Sequence, residues 1–180
     1  QTEDDNGNVN TTGPRSCYDE GKRFGEAAIK SYDMKHGIDY RIIRIFNTYG
    51  PRLKAEDGRV ISNFLNQALN DEPLTVYGDG TQTRSFCYVD DLVNGIRKAM
   101  NSEKGGIFNL GNPDEYTILE LAEKVQKVLD TESETVHQEL PEDDPEKRKP
   151  DITRAKEKLN WKPEVKLEKG LKKTAEYYSS

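Results

Sequence analysis

Apolar positions along this chain recur with two periods, and the switches between them predict its elements. Residues 15–36 lack proline and carry alanine, lysine, glutamate and methionine, which predicts a helix opening after Gly13-Pro14 and stopping at His36-Gly37. Asp39-Tyr-Arg-Ile-Ile-Arg-Ile-Phe46 is rich in β-branched residues and predicts a strand. Asn47-Thr-Tyr-Gly-Pro51 turns the chain at that strand's carboxyl end, where open α/β sheets place ligands. After a charged loop over 52–59, Val60, Ile61, Phe64, Leu65, Ala68 and Leu69 are spaced as one face of a helix. Leu74-Thr-Val-Tyr77 predicts a short strand, Gly78-Asp-Gly80 a tight turn, and Ser85-Phe-Cys-Tyr-Val89 another extended segment. Asp90 has the chemistry of an N-cap for a helix reaching about Met100, with Leu92, Val93, Ile96 and Ala99 on one face.

Gly105-Gly106 break the chain before a strand over 107–110. Thr117 and Glu120 form a capping box opening a helix whose apolar face is Ile118, Leu121, Ala122, Val125 and Leu129. Residues 134–140 predict an edge strand, and a polar segment runs from Pro141 to Pro150. Helices near 153–159 and 167–178 close the chain around Trp161 and Pro163. Helix alternating with strand defines an α/β pattern, and no internal repeat is present.

The 180 residues suffice for one domain or two incomplete lobes. Apolar and charged residues each make up 33%, and the mean hydropathy is −0.94, so the expectation is a very wet surface or a missing half. With 27 basic against 33 acidic residues the net charge is −6, which argues against nucleic acid or anionic lipid as partners; any anion must be met locally. Cys17 and Cys87, with His36 and His137, have no metal-ligand spacing and form no disulfide framework, so a reducing, cytoplasmic setting and no metal are expected. Asn10-Thr11-Thr12 matches a glycosylation acceptor, a frequent chance triplet. No signal segment or spanning run appears, and the opening residues read like the middle of a loop.

Tyr18 and Lys22, four apart on the first helix, share a face. A positive charge beside a phenol favours the phenolate, which makes the pair a candidate for proton transfer; Tyr-x-x-x-Lys is also common on solvated helices, so its company decides. Arg59, Arg84 and Arg148 lie in loops flanking elements, where guanidinium groups can meet phosphate in two-point geometry; three of them in an acidic chain are a candidate diphosphate clamp, although each alone reads as a surface residue.

Gly13-Pro-Arg-Ser-Cys-Tyr-Asp-Glu-Gly-Lys-Arg23, Arg44-Ile-Phe-Asn-Thr-Tyr-Gly-Pro-Arg52, Asp57-Gly-Arg-Val60, Leu74-Thr-Val-Tyr-Gly-Asp-Gly-Thr-Gln-Thr-Arg-Ser-Phe86 and Asp143-Asp-Pro-Glu-Lys-Arg-Lys-Pro-Asp-Ile152 closely resemble the UDP-glucuronate decarboxylase (UDP-xylose synthase) family of the extended short-chain dehydrogenase/reductase superfamily. The first motif marks the superfamily; the last favours the decarboxylases over related epimerases and dehydratases. The resemblance implies an NAD redox cycle. Tyr18 takes the proton of the sugar 4-hydroxyl as hydride leaves, Lys22 supports the phenolate and touches the nicotinamide ribose, the resulting β-keto acid loses carbon dioxide, and returned hydride gives UDP-xylose. It further implies Asn47 beside the sugar and phosphates, Thr48 near the cofactor, Arg59 close to both, Tyr77 at the uracil pocket, and Arg84 and Arg148 at the diphosphate and ribose. Tyr32 would reach the sugar or a neighbouring subunit, and a homodimer would form through the catalytic helix.

The implied fold is the C-terminal part of an NAD-binding Rossmann-like structure with a small mixed α/β substrate lobe. Residues 1–55 and 84–102 would be the Rossmann elements, and 56–83 and 103–180 the sugar-nucleotide lobe. The family's glycine-rich dinucleotide turn has no counterpart before residue 13, and Gly78-Asp-Gly80 lacks the third glycine, so the expectation is a carboxyl-terminal portion inactive by itself. Epimerisation or dehydration of another nucleotide sugar, and a non-catalytic UDP-sugar-binding or assembly module, stay open; release of carbon dioxide separates the first of these from decarboxylation.

Overall fold

Helix α1 (Ser16–His36) ends where Gly37 takes a left-handed conformation, φ 62°, and returns its N–H to the Asp33 carbonyl. The computed structural model describes residues 1–139 and 147–180. In chain order there follow β1 (Arg41–Ile45), β2 (Thr48–Tyr49), α2 (Val60–Leu69), β3 (Leu74–Tyr77), β4 (Thr83–Ser85), β5 (Cys87–Tyr88), α3 (Val89–Met100), β6 (Gly106–Leu110), β7 (Glu115–Thr117), α4 (Ile118–Leu129), β8 (Thr135–Gln138), β9 (Lys147–Arg148), α5 (Thr153–Leu159) and α6 (Leu167–Tyr178). The α/β alternation is as the pattern predicts. Asp143 and its neighbours through Glu146, the start of the most discriminating motif, lie outside the described residues.

The strands pair in small groups: β1 with β6, β2 with β5 and β3 with β8, all parallel, while β4 lies between antiparallel β7 and parallel β9. Two clusters of buried side chains result. One joins Phe64 and Leu65 of α2, Leu74 and Val76 of β3, Leu121 and Val125 of α4, and Leu171 of α6. The other packs Phe108 and Leu110 of β6, Cys87, Leu92 of α3, Ala155 of α5, and Trp161. Trp161 donates its indole N–H to the Asp91 carbonyl at 2.9 Å, and the buried Asp91 carboxylate accepts the N–H groups of Glu164 and Val165 at 3.0 and 2.9 Å. One acidic residue thus ties the approach to α6 onto α3. The β1–β6 ladder and the packing of α5 against α3 and β6 join segments that the sequence assigns to different lobes, so the division at residue 103 is crossed by main-chain hydrogen bonds.

Three details differ from the pattern. Asp90 lies inside the first turn of α3, whose N-cap is Tyr88 without a side-chain cap; the helix starts two residues earlier because β5 delivers the chain directly into it. Val93 is exposed, although it falls on the apolar stripe with buried Leu92 and Ala99. Strands β4, β7 and β9 are too short and polar to announce themselves; partner strands define them. The capping box of α4 is present in full: Glu120 N–H donates to Thr117 Oγ1 at 3.0 Å, and Thr117 N–H to the Glu120 carboxylate at 2.7 Å.

Candidate functional site

The carboxyl ends of β1 and β2, the start of α2, the outer face of β3 and the β4–β9 pair surround one cavity of about 450 Å³. Five of the six substrate candidates, Asn47, Arg59, Tyr77, Arg84 and Arg148, line it, as does Thr48. The local folding explains each placement. Asn47 follows β1, and its carbonyl accepts the Cys87 N–H at 2.8 Å, which fixes the turn against β5. Thr48 donates its hydroxyl to the Phe46 carbonyl at 2.8 Å. Arg59 is the N-cap residue of α2, and its Nε meets the Asp57 carboxylate at 2.8 Å. Along β3, Leu74 and Val76 are buried in the core, which turns Thr75 and Tyr77 outward to the cavity.

The pairing of β4 with β9 sets Arg84 directly opposite Arg148, so the two stems stand side by side. Ser85 donates its hydroxyl to the Arg148 carbonyl at 3.1 Å and holds this register. Arg84 is 8% exposed and gives one guanidinium N–H to the Thr83 carbonyl at 2.8 Å. Two guanidinium groups side by side on one wall can meet an anion in two-point geometry. A fourth arginine, Arg15, lines the cavity, and among the described residues no lining residue is acidic. In a chain of net charge −6 this is a local basic chamber.

Arg15 connects the chamber to the proposed proton-transfer pair. It precedes α1, its guanidinium carbon stands 5.6 Å from the centre of the Tyr18 ring, and Lys22 Nζ lies 5.4 Å from the same ring. Tyr18 and Lys22 are not among the lining residues; Tyr18 is 58% exposed, in contact with Arg15, which does line the cavity. Tyr32 is left out of the cavity: about 21 Å of helix, at 1.5 Å per residue, separates it from Tyr18. Its ring is exposed and packs on His36 with centroids 5.6 Å apart. The periodicity missed Arg15, Thr75, Gln82 and Phe86 as lining residues. Arg15 had a signal, one turn before Tyr18; Thr75 lies on β3, and Gln82 and Phe86 flank β4, where no period marks them. Cys87 is buried in the core, its thiol pushed up to about 12 by burial, and takes no part. Among the described residues no cluster of His, Cys, Asp and Glu could hold a metal, and no helix is long and apolar enough to cross a membrane.

A basic cavity at the carboxyl ends of parallel strands, beside a Tyr-x-x-x-Lys helix, marks an α/β protein with a site for an anion, and residues 1–111 match the NAD dependent epimerase/dehydratase family. The chain belongs to that family. It is 55% identical over 171 residues to UDP-glucuronic acid decarboxylase 6 of Arabidopsis thaliana, covering 95% of this chain and 50% of the relative. Among solved structures, UDP-glucose 4-epimerase of Thermotoga maritima with UDP-glucose superposes with a TM-score of 0.87 at 32% identity, over 97% of this chain and 59% of that one. UDP-glucuronic acid 4-epimerase of Bacillus cereus, in complex with UDP-glucuronic acid and NAD, gives 0.84 at 30% identity, over 97% and 57%. The chain spans about half the length of the curated relatives it matches.

Proposed function

We propose that this chain forms part of a UDP-glucuronate decarboxylase, an NAD-dependent carboxy-lyase that converts UDP-glucuronate to UDP-xylose, and that the basic cavity is its sugar-nucleotide site. The observation that carries the reading is the Arg84–Arg148 pairing across β4 and β9, on a wall shared with Asn47, Arg59 and Tyr77, in a chain 55% identical to a decarboxylase. Arg84 and Arg148 take the diphosphate and ribose, Asn47 the sugar and adjoining phosphate, Arg59 both ligands, and Tyr77 lies against the base.

Tyr18, Lys22, Thr48 and Arg59 are the residues of this chain that would hold NAD. Phenol, ammonium, hydroxyl and guanidinium are all hydrogen-bond donors suited to ribose hydroxyls and phosphate oxygens, and the absence of carboxylates among them fits an anionic dinucleotide. When bound, NAD supplies reversible acceptance of hydride. The Tyr18 oxygen holds and returns the proton of the sugar 4-hydroxyl, with the Lys22 ammonium and the Arg15 guanidinium standing near its ring. The arginines fix the diphosphate, so the reacting sugar is oriented by binding energy from the nucleotide end.

Phe24 and Met34 on α1 are 74% and 80% exposed, which supports assembly as a homodimer through that helix. The free Cys17 and Cys87 support a cytoplasmic setting. The likeness to UDP-sugar 4-epimerases favours a second reading, epimerisation, which shares the proton transfer at Tyr18 and omits carbon dioxide. Mass spectrometry of UDP-glucuronate incubated with NAD and the chain, alone and extended upstream to the relatives' length, separates the two. A UDP-pentose with carbon dioxide is the expected product of the extended protein; a UDP-hexuronate epimer overturns decarboxylation.

A further inference from the structure

Strand β3 is bonded along one edge only among the described residues. Toward β8, Leu74 N–H donates to the Glu134 carbonyl at 2.7 Å and Gly78 N–H to the Gln138 carbonyl at 2.8 Å. Alternation turns the main-chain groups of Thr75 and Tyr77 to the opposite edge, and both residues line the cavity. Two glutamines close the ends of that edge. Gln67, from α2, uses both halves of its amide on Thr75: Oε1 accepts the Thr75 N–H at 3.1 Å, and Nε2 donates to Thr75 Oγ1 at 2.9 Å. The main-chain N–H can only donate, so the amide has one orientation. Gln82, itself a lining residue, donates Nε2 to the Tyr77 carbonyl at 2.8 Å.

Along the edge the groups run Thr75 N–H, Thr75 C=O, Tyr77 N–H, Tyr77 C=O. Gln67 takes the N–H at one end and the Gln82 amide stands over the carbonyl at the other, so among the described residues the open pair is an acceptor followed by a donor. A base offering a ring N–H next to a carbonyl, the imide of uracil, fits that pair. Cytosine, laid with the same polarity, offers a ring nitrogen acceptor next to an amino group. It fits only one step to either side, on Thr75 N–H and C=O or on Tyr77 N–H and C=O, and those are the two steps the glutamines block. Resting on the UDP-sugar reading above, we propose that Gln67 and Gln82 are positioning residues that restrict the β3 edge to one register and thereby select uracil over cytosine nucleotides. A mismatched base would leave main-chain groups opposed or unpaired, which is where polar sites derive their discrimination.

Calorimetric titration of the 180-residue chain with UDP, CDP and inorganic pyrophosphate tests this. Wild type is expected to prefer UDP over CDP by tenfold or more. Gln67→Met and Gln82→Met should each lower that preference at least threefold, with CDP binding gained and pyrophosphate affinity unchanged. Gln67→Glu, which keeps an acceptor for the Thr75 N–H, should retain most of the preference. Gln82→Met, losing a single bond at a surface position, decides the matter should Gln67→Met unfold. Variants that keep the wild-type preference overturn the proposal, as does a parallel loss of all three ligands, which would mark a merely structural role. A wild-type chain that binds pyrophosphate yet does not distinguish UDP from CDP overturns the base-site reading itself, and the assignment of the glutamines with it.

Discussion

Arg148 shows how a residue with no promise in the sequence becomes a ligand candidate. In Lys147-Arg-Lys149, between prolines, it reads as part of a solvated run; pairing of β9 with β4 sets it against Arg84 on the cavity wall. Replacing it by alanine is expected to weaken UDP binding by about 1.5–3 kcal/mol, the range for a lost charge-assisted hydrogen bond, with the melting temperature little changed. Titration calorimetry reads this directly, and unchanged affinity would return Arg148 to the solvated surface. Tyr18 makes a different prediction because its oxygen is assigned to proton transfer rather than affinity. In the protein extended to its relatives' length, Tyr18→Phe should abolish turnover and leave UDP-glucuronate binding within a few-fold; an active variant removes the role. Tyr18 and Lys22 were legible as a pair because one helix carries both. The convergence of Asn47, Arg59, Tyr77, Arg84 and Arg148 was legible only through family resemblance, because strand pairings over long separations build the wall.

Among the elements, those bounded by local chemistry were the readable ones. Gly37 stops α1 and the Thr117–Glu120 box starts α4, each a short-range signal that tertiary packing does not overrule. Asp90 failed as a cap because β5 runs into α3 without an intervening turn, and β4, β7 and β9 escaped because two or three polar residues have no period. Removing the box with Thr117→Ala should cost about 0.5–2 kcal/mol, measured as a shift in the urea midpoint, and the cavity should move with it because Ile118 begins that helix and lines the cavity. Helix α1 depends on a different device. Arg44 on β1 grips Glu26 with Nε to Oε1 at 2.8 Å and Nη2 to Oε2 at 2.7 Å, and gives Nη1 to the Glu3 carbonyl at 3.0 Å. The hydrogen bond from Arg44 holds the Glu26 carboxyl below its ordinary 4.5, against burial, with the charge of Arg44 adding to it. A lowered carboxyl value means that the unfolded chain binds the proton more readily. This stabilisation is therefore fully present above pH 4.5 and is lost as pH falls below that toward the folded value. Urea titrations between pH 6 and pH 3 should show wild type losing more stability than Glu26→Gln; parallel curves would show that the pair contributes nothing.

For the whole molecule, the question is what covers α1. The helix spans 21 residues without one buried side chain, and Phe24, Tyr32 and Met34 stand 74%, 62% and 80% exposed. Ile45 at the end of β1 is 57% exposed, and among the described residues β1 bonds only β6, leaving its other edge unpaired. Helix α4, in contrast, buries Ile118, Leu121, Ala122 and Val125. Stability in one chain need not be uniform; a helix without buried apolar contacts opens at far lower free energy than one packed in the core. Amide exchange on the dilute 180-residue chain should therefore be fast through α1 and slow through α4. Raising concentration should protect α1 selectively if a second copy covers it, with the sedimentation coefficient rising over the same range. Slow exchange through α1 in a chain that sediments as a monomer would mean that contacts within the chain, the Glu26–Arg44 clamp among them, hold the helix, and the homodimer reading would fall with that result.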